Sequence, residues 1–352
     1  MARTPMTGPT LASIAERAGV SIATVSKVIN GRSGMSEATR ARVETAVREL
    51  GYRPTPRSIP GAPRSIHVVF DTLHSVYSLR VLDGMVAAAQ RSDIDLVTRV
   101  LSPGSGFGST DATGDEVALD RGFVDGVAAR GAIGMIVVTT PIAADVVDAC
   151  LDAGIALVAV DSPDPLDRSV ASIGSSHAAG GQQAVEHLLD LGHRRIAFVG
   201  GNPANPGLRA RAVGYREALR GAGIPLDPDL VSEEGMGTAG DAVARMLASA
   251  DSPTAVFATN DADAFAVVRT VLRAGLRVPE DVSVVGYDDT YSAMLTVPRL
   301  TTVHTSMHDI GRAAVDTLLR LHAGEKPFSH HLELATMLIE RESTGPAPTS
   351  MP

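Results

Sequence analysis

Tryptophan is absent from these 352 residues, cysteine occurs once, lysine twice, and aromatic residues make up 3% of the chain. A single cysteine excludes a disulfide framework within the chain. In the string VVDACLDAG, Cys150 takes a buried helical position, that of a structural thiol and not a nucleophile. No apolar run reaches the length of a membrane span. The opening MARTPMTGPT lacks the apolar core of a signal peptide, which points to the cytoplasm and to no membrane partner. Also missing are a G-x-S-x-G elbow, a Walker loop and an H-E-x-x-H pair, so no catalytic residue, metal or cofactor is expected. His330, His331 and Glu333 alternate within HHLELATML, the pattern of an edge strand with exposed histidines. The glycines of 104–115 (GSGFGSTDATGD) neither follow a strand nor open a helix, so this segment reads as a surface loop and not a phosphate cradle.

What is present is unevenly placed. Residues 1–65 carry ten Arg and Lys against four Glu, a charge of +6 in a chain whose net charge is −9, which leaves −15 on the remainder. A basic module on an acidic body fits a polyanionic partner for the module alone. Within it, Thr10 is a good N-cap, and Leu11, Ile14, Ala15 and Ala18 recur at helical spacing. Gly19 supplies the left-handed turn of a helix end. Ser21 caps a second helix with Val25, Val28 and Ile29 inward and Ile22, Ala23, Thr24, Ser26 and Lys27 outward; Ser36 opens a third, ending at Gly51. Two short helices on a tight turn, closed by a third, have the form of a helix-turn-helix.

Residues 53–65, RPTPRSIPGAPRS, hold four prolines and read as a linker. Pro56 can stand at the first helical position after a Thr55 cap, but Pro60 pushes Ile59 toward extended geometry, so at most one helical turn fits. From residue 66 the pattern changes. Short apolar runs at 66–70, 95–100, 134–139, 156–160, 195–200, 254–259 and 282–287 alternate with helix-length segments at 78–91, 116–130, 141–153, 178–191, 208–221, 239–250, 261–274 and 307–323. Such alternation predicts parallel sheets covered on both faces. It comes as two similar series broken near 171–176, hence two doubly wound units with a ligand at the carboxyl ends of their strands.

Two sets of strings carry a resemblance. AERAGVS and TVSKVING, followed by SEATRARVETAVRELGYRP, resemble the DNA-binding head of the lactose-repressor (LacI/GalR) family from Thr10 to Pro54. GGQQAVEHLLDLGHRRIAFVGG, RARAVGYREAL, FATNDADAFAVV, RVPEDVSVVGYDDT and PRLTTVHTS resemble its effector domain, over 66–345. The resemblance implies a small all-α helix-turn-helix head and an α/β body of two doubly wound subdomains of the periplasmic sugar-binding protein (type I) kind. The expected division is 1–52 for the head, 53–65 for the hinge and 66–345 for the effector-binding and dimerisation domain. Within the last, an N-subdomain takes 66–172 and 307–334 and a C-subdomain 173–303 and 335–345; 346–352 are expected to be a disordered tail.

By the same resemblance Ser21 begins the recognition helix, Ile22, Ala23 and Lys27 take base-reading positions, and Thr10, Thr24, Ser26, Asn30, Arg32 and Arg53 bind phosphate or brace the turn. Ile22 and Ala23 can offer only methyl contacts, while Lys27 can donate to guanine O6 and N7. In the hinge, Ile59 stands where the family wedges a leucine into the minor groove, and Arg57 adds charge. The implied effector contacts are Asp71, Asp161, Arg211, Asn260 and Asp288, with Tyr77 and Tyr291 as rings for stacking on a sugar. Asp261 and Asp289 are expected to be helix caps instead, and Ser175-Ser176 replace an Asp-Asn pair common in the family. Together these imply a dimeric, ligand-responsive repressor of a carbohydrate-utilisation operon, reading a pseudo-palindromic double-stranded operator and responding to a small sugar as inducer. A co-repressor-type regulator sensing a purine or other metabolite stays open. A sugar-binding transport receptor would share the body but need a signal peptide and lack the basic head.

Overall fold

Three short helices make the head because each buries one apolar stripe. In Leu11–Ala18 (α1) the buried residues are Ile14, Ala15 and Ala18; in Ile22–Ile29 (α2), Val25 and Val28; in Glu37–Leu50 (α3), Val43 and Ala46. Gly19 sits at φ +65°, the left-handed turn between α1 and α2. Ser21 Oγ accepts from the Thr24 amide at 3.1 Å and Ser36 Oγ from the Thr39 amide at 3.2 Å, each satisfying an orphan donor at a helix start. The computed structural model describes residues 11–29, 35–50, 64–73, 75–101, 117–163, 166, 169–201, 205–233, 237–327 and 329–349. The expectations for Thr10, Asn30, Arg32, Arg53, Arg57, Ile59, the loop 104–115 and nearly all of the hinge lie outside them.

The body is built from two six-stranded sheets. The first half runs Ser65–Phe70 (β1), Val76–Arg91 (α4), Asp95–Val100 (β2), Arg121–Ala129 (α5), Gly134–Val138 (β3), Ala144–Ala153 (α6), Ala156–Val160 (β4) and Ala171–Ser175 (β5). The second runs His177–Asp190 (α7), Ile196–Val199 (β6), Pro206–Gly221 (α8), Val231–Ser232 (β7), Ala239–Leu247 (α9), Ala255–Ala258 (β8), Asp261–Arg273 (α10), Ser283–Asp288 (β9) and Thr301–His304 (β10). Met307–His322 (α11) and His331–Leu334 (β11) return to the first half, and Met337–Ile339 (β12) ends in the second.

Strand order is β11-β5-β4-β3-β1-β2 in the first sheet and β12-β10-β9-β8-β6-β7 in the second; every pairing is parallel except β12 with β10. β3 and β8 are buried throughout, as strands covered by helices on both faces must be. Strand order reverses between β1 and β3 and between β6 and β8, which opens a crevice at the carboxyl ends of those strands.

The chain therefore crosses between halves three times: after Ser175, between His304 and Met307, and between Leu334 and Met337. The first and third crossings are stitched together. Ser176 N donates to Leu334 O at 3.0 Å, and Thr336 N donates to Ser176 Oγ at 3.1 Å. The boundary expected after residue 172 is displaced, because β5 runs unbroken to Ser175 in the first sheet. β5, β7, β10 and β12 lack the long apolar run that marks the other strands.

The end of the C-subdomain is tied down: Ser343 is fully buried, with Oγ donating to Val284 O at 2.6 Å, and His193 bonds Thr254, Ser283 and Gly345 O. Of the expected tail, Ala347 is held by its amide donating to Leu191 O at 2.9 Å. Cys150 is 1% exposed in α6, and burial pushes its thiol up to about 12.

Candidate functional site

On the head, the outer face of α2 presents Ile22, Ala23 and Lys27, all exposed, opposite the buried Val25 and Val28. Ser21 and Thr24 share a hydroxyl–hydroxyl bond of 2.9 Å as well as the cap, which fixes the start of this helix. Ser26 is half-buried beside them.

In the body, the polar side chains gather at the carboxyl ends of the strands. Asp71 follows β1, and its Oδ1 accepts from Thr139 Oγ1, just past β3, at 2.7 Å. That pair marks the reversal of strand order in the first sheet. Asp161 follows β4 and accepts from the Tyr77 hydroxyl in the first turn of α4. Its other oxygen lies 3.5 Å from His177 Nε2, at the start of α7. The opposite nitrogen of His177 faces two donors at 3.5 Å, Arg211 Nη2 and the Tyr287 hydroxyl, so Nδ1 accepts and Nε2 donates to Asp161.

Arg211, 5% exposed in α8, then donates to Asp288 Oδ1 at 3.2 Å and to the Thr259 carbonyl, with its guanidinium carbon 3.6 Å from the Tyr287 ring centre. A continuous chain of polar groups thus runs Tyr77–Asp161–His177–Arg211–Asp288, from the first sheet to the second. Arg211 Nε is buried with no hydrogen-bond partner.

The two halves' carboxylates respond differently to their settings. Burial alone would raise Asp161, but His177, Tyr77 and Arg211 outweigh it and hold the carboxyl below the usual range. Burial raises Asp288, helped by Asp161, against the pull of Arg211 and His177. Tyr77 is pushed well above an ordinary phenol by burial and by the charges of Asp161 and Asp288, so it stays a donor. Backbone strain coincides with the same positions. Thr139, Asp161 and Asp288 have φ of +50°, +42° and +102°, a region costly for residues with a Cβ and held only where the surroundings over-determine it.

α7 and α8 reach each other through glycine: a Cβ on Gly181 would strike the Arg211 carbonyl, and one on Gly214 the Ala178 carbonyl. That contact sets His177 against Arg211. Beside the polar chain lies a cavity of about 800 Å³, lined by Asp161 and His177, by β5 (Ser172 to Ser175), by Gly207 and Ala210 of α8, and by His330, His331 and Glu333.

The structure brings Asp161, Tyr77, Arg211 and Asp288 together and places Asp71 at the end of β1, two strands from β4. Asn260 is spent otherwise: its Oδ1 caps α10 through the Asp263 amide at 2.8 Å, and its Nδ2 donates to Asp263 Oδ2 at 2.8 Å. Asp261, expected as that cap, is instead 1% exposed and accepts from Thr290 N, Thr290 Oγ1 and Thr302 Oγ1. Asp289 caps nothing; it binds His304 at 2.9 Å and Arg341 at 2.5 Å. Tyr291 is 71% exposed on the 3-10 turn Tyr291–Met294. His177 and Tyr287 went unassigned by sequence reasoning. A carboxylate at Asp161 and an arginine at Arg211, both bound to be buried, needed partners, and a histidine opening α7 was the available one.

Comparison with known proteins matches residues 10–55 to bacterial regulatory proteins of the lacI family and residues 185–344 to a periplasmic binding protein-like domain. The HTH-type transcriptional regulator CelR of Thermobifida fusca is 34% identical over 343 residues, covering 95% of this chain and 98% of that protein. The chain belongs to the lacI family. The lactose operon repressor of Escherichia coli K12 is 30% identical, over 95% of this chain and 90% of its own. Among solved structures, a CelR–cellobiose complex aligns with TM-score 0.68 at 30% identity, over 95% and 99% of the two chains. A lac repressor dimer bound to operator and the anti-inducer ONPF aligns with TM-score 0.67 at 28%, over 96% and 100%. This lacI-family protein is thus a transcriptional regulator with a helix-turn-helix head and a periplasmic-binding-protein-like body. Among its described residues no helix is long and apolar enough to cross a membrane.

Proposed function

We propose that the protein is a cytoplasmic, non-enzymatic repressor of carbohydrate-utilisation genes that releases its operator when a sugar occupies the cleft between its two halves. The observation that carries this reading is the buried polar chain from Asp161 through His177 and Arg211 to Asp288, which spans both sheets beside a cavity. Carboxylates and a guanidinium alternate there as acceptors and donors, matching adjacent hydroxyls. A ligand gripped by both halves binds the closed arrangement better than the open one, and that difference is all the free energy available to shift the head. Relatives support the ligand class: one is a ribose operon repressor, another the lactose operon repressor, and CelR is known in complex with cellobiose. On this reading the two sheets act as the two effector subdomains, Asp71 lines their crevice, and Lys27, Ile22 and Ala23 read the operator.

We further infer a homodimer, since a pseudo-palindrome calls for two heads. Exposed apolar side chains suit such a contact, with Val76, Leu79 and Val86 on α4 and Leu272, Leu295 and Val297 on the second half. A PurR relative at 29% identity suggests a purine co-repressor as the alternative ligand class; among the described residues no Phe, Tyr or Trp lines the cavity for stacking. Thermal-shift screening of the full chain against mono- and disaccharides and purines, followed by operator release with any hit, tests the proposal. Stabilisation by a purine and by no sugar would overturn it.

A further inference from the structure

We infer that the effector is a saccharide of at least two rings, with a second-ring subsite formed by Ser172, His331 and Glu333 on the β5–β11 edge; this rests on the sugar-repressor reading above. The cavity is elongated across the first sheet. It begins at Asp161, at the end of β4, passes β5 and reaches β11. Two inter-strand steps make about 10 Å, more than one ring covers and close to what two linked rings cover. At about 800 Å³ it also stands near the top of the ~300–1,000 Å³ span of drug-sized sites.

The far end offers the chemistry of a hydroxyl-binding wall. Ser172 Oγ lies 2.8 Å from His331 Nδ1, and His331 Nε2 lies 3.1 Å from Glu333 Oε1. The pairings hold the imidazole in place while the carboxylate keeps most of its acceptor sites for a ligand. Gly174, Ala178, Gly207 and Ala210 leave the middle without bulky side chains, so a linked pair of rings can lie along β5.

Isothermal titration of the full chain with cellobiose, lactose and maltose beside glucose and galactose tests this, using wild type, His331→Ala, Glu333→Ala and Arg211→Ala. His331 and Glu333 side chains are 61% and 52% exposed on an edge strand, so these variants keep the fold. At least one disaccharide is expected to bind wild type about tenfold or more tightly than its component monosaccharides. His331→Ala and Glu333→Ala should each cut that advantage by about tenfold while leaving monosaccharide affinity in place; Arg211→Ala should weaken both. Equal affinity for a monosaccharide and every disaccharide would overturn the two-ring site and leave the sugar reading standing. A disaccharide preference untouched by His331→Ala and Glu333→Ala would overturn the placement of the second ring. Binding of no saccharide by wild type would overturn both readings.

Discussion

The Arg211 guanidinium lies over Tyr287, its central carbon 3.6 Å from the ring centre. The same group holds Asp288, so the cation is fixed by a face and an edge at once. Arg211→Ala would strand Asp288 as a buried charge, a loss of about 3–5 kcal/mol for such pairs. Arg211→Lys keeps the charge but neither the planar fork nor the stacking and should fall between. Urea midpoints without ligand measure the order wild type, Lys, Ala; equal midpoints would mean the pair carries no stability. In both variants the effector should also lose affinity.

Lys27 is the exposed donor on α2 suited to guanine. Lys27→Ala should cost about 1–3 kcal/mol of operator binding and relax preference at one base pair per half-site. Competition binding against operator variants reads both. Unchanged affinity and ranking would remove Lys27 from base reading.

Asp261 makes stability depend on pH in an unusual direction. Burial, then the charge of Asp288, raise its carboxyl to about 7, against hydrogen bonds from Thr302 and Thr290. A folded-state pKa above the unfolded value near 3.8 means the native protein binds more protons between about pH 4 and 7. Stability from this group is therefore present at the acid end and lost as pH rises through 7, by a few kcal/mol at most. Asp288 and Asp263 are also raised and act in the same sense. Denaturant midpoints at pH 5.0 and 7.5 should differ less in Asp261→Asn than in wild type; an identical slope would show the carboxyl charged throughout.

Gly214 allows α8 to touch α7 at the Ala178 carbonyl. Gly214→Ala should cost about 1–3 kcal/mol through overpacking and pull Arg211 from His177. Effector affinity should drop in this variant although no ligand contact is removed. Calorimetry on the folded variant would show unchanged affinity if the helix contact does not position the pair.

Much of this was legible in the sequence. The head declares itself through apolar spacing, Gly19 and two serine caps. The body shows in strands such as β3 and β8, whose burial on both faces writes an unbroken apolar run. Strands of two to five residues with small or polar members, such as β5 with ASIGS, carry no such run and were missed. At the site, Asp71, Asp161 and Asp288 came from the family resemblance, and their places at strand ends agree with it. Sequence position could not separate Asn260 from Asp261, because which neighbour caps α10 and which turns inward depends on Thr290 and Thr302, about thirty to forty residues away. His177 was invisible for a similar reason. Its role exists only once Asp161 and Arg211 stand on either side of it.

His177 is also the residue next to Ser176, where two of the three inter-sheet crossings are bonded to each other. On the proposed function, the ligand-facing imidazole and the stitched crossing are one residue apart. A molecule bound at the imidazole would then act close to the turning point, and a displacement of a fraction of an ångström there would become a larger swing at the outer ends of both sheets, as in a lever worked from beside its fulcrum.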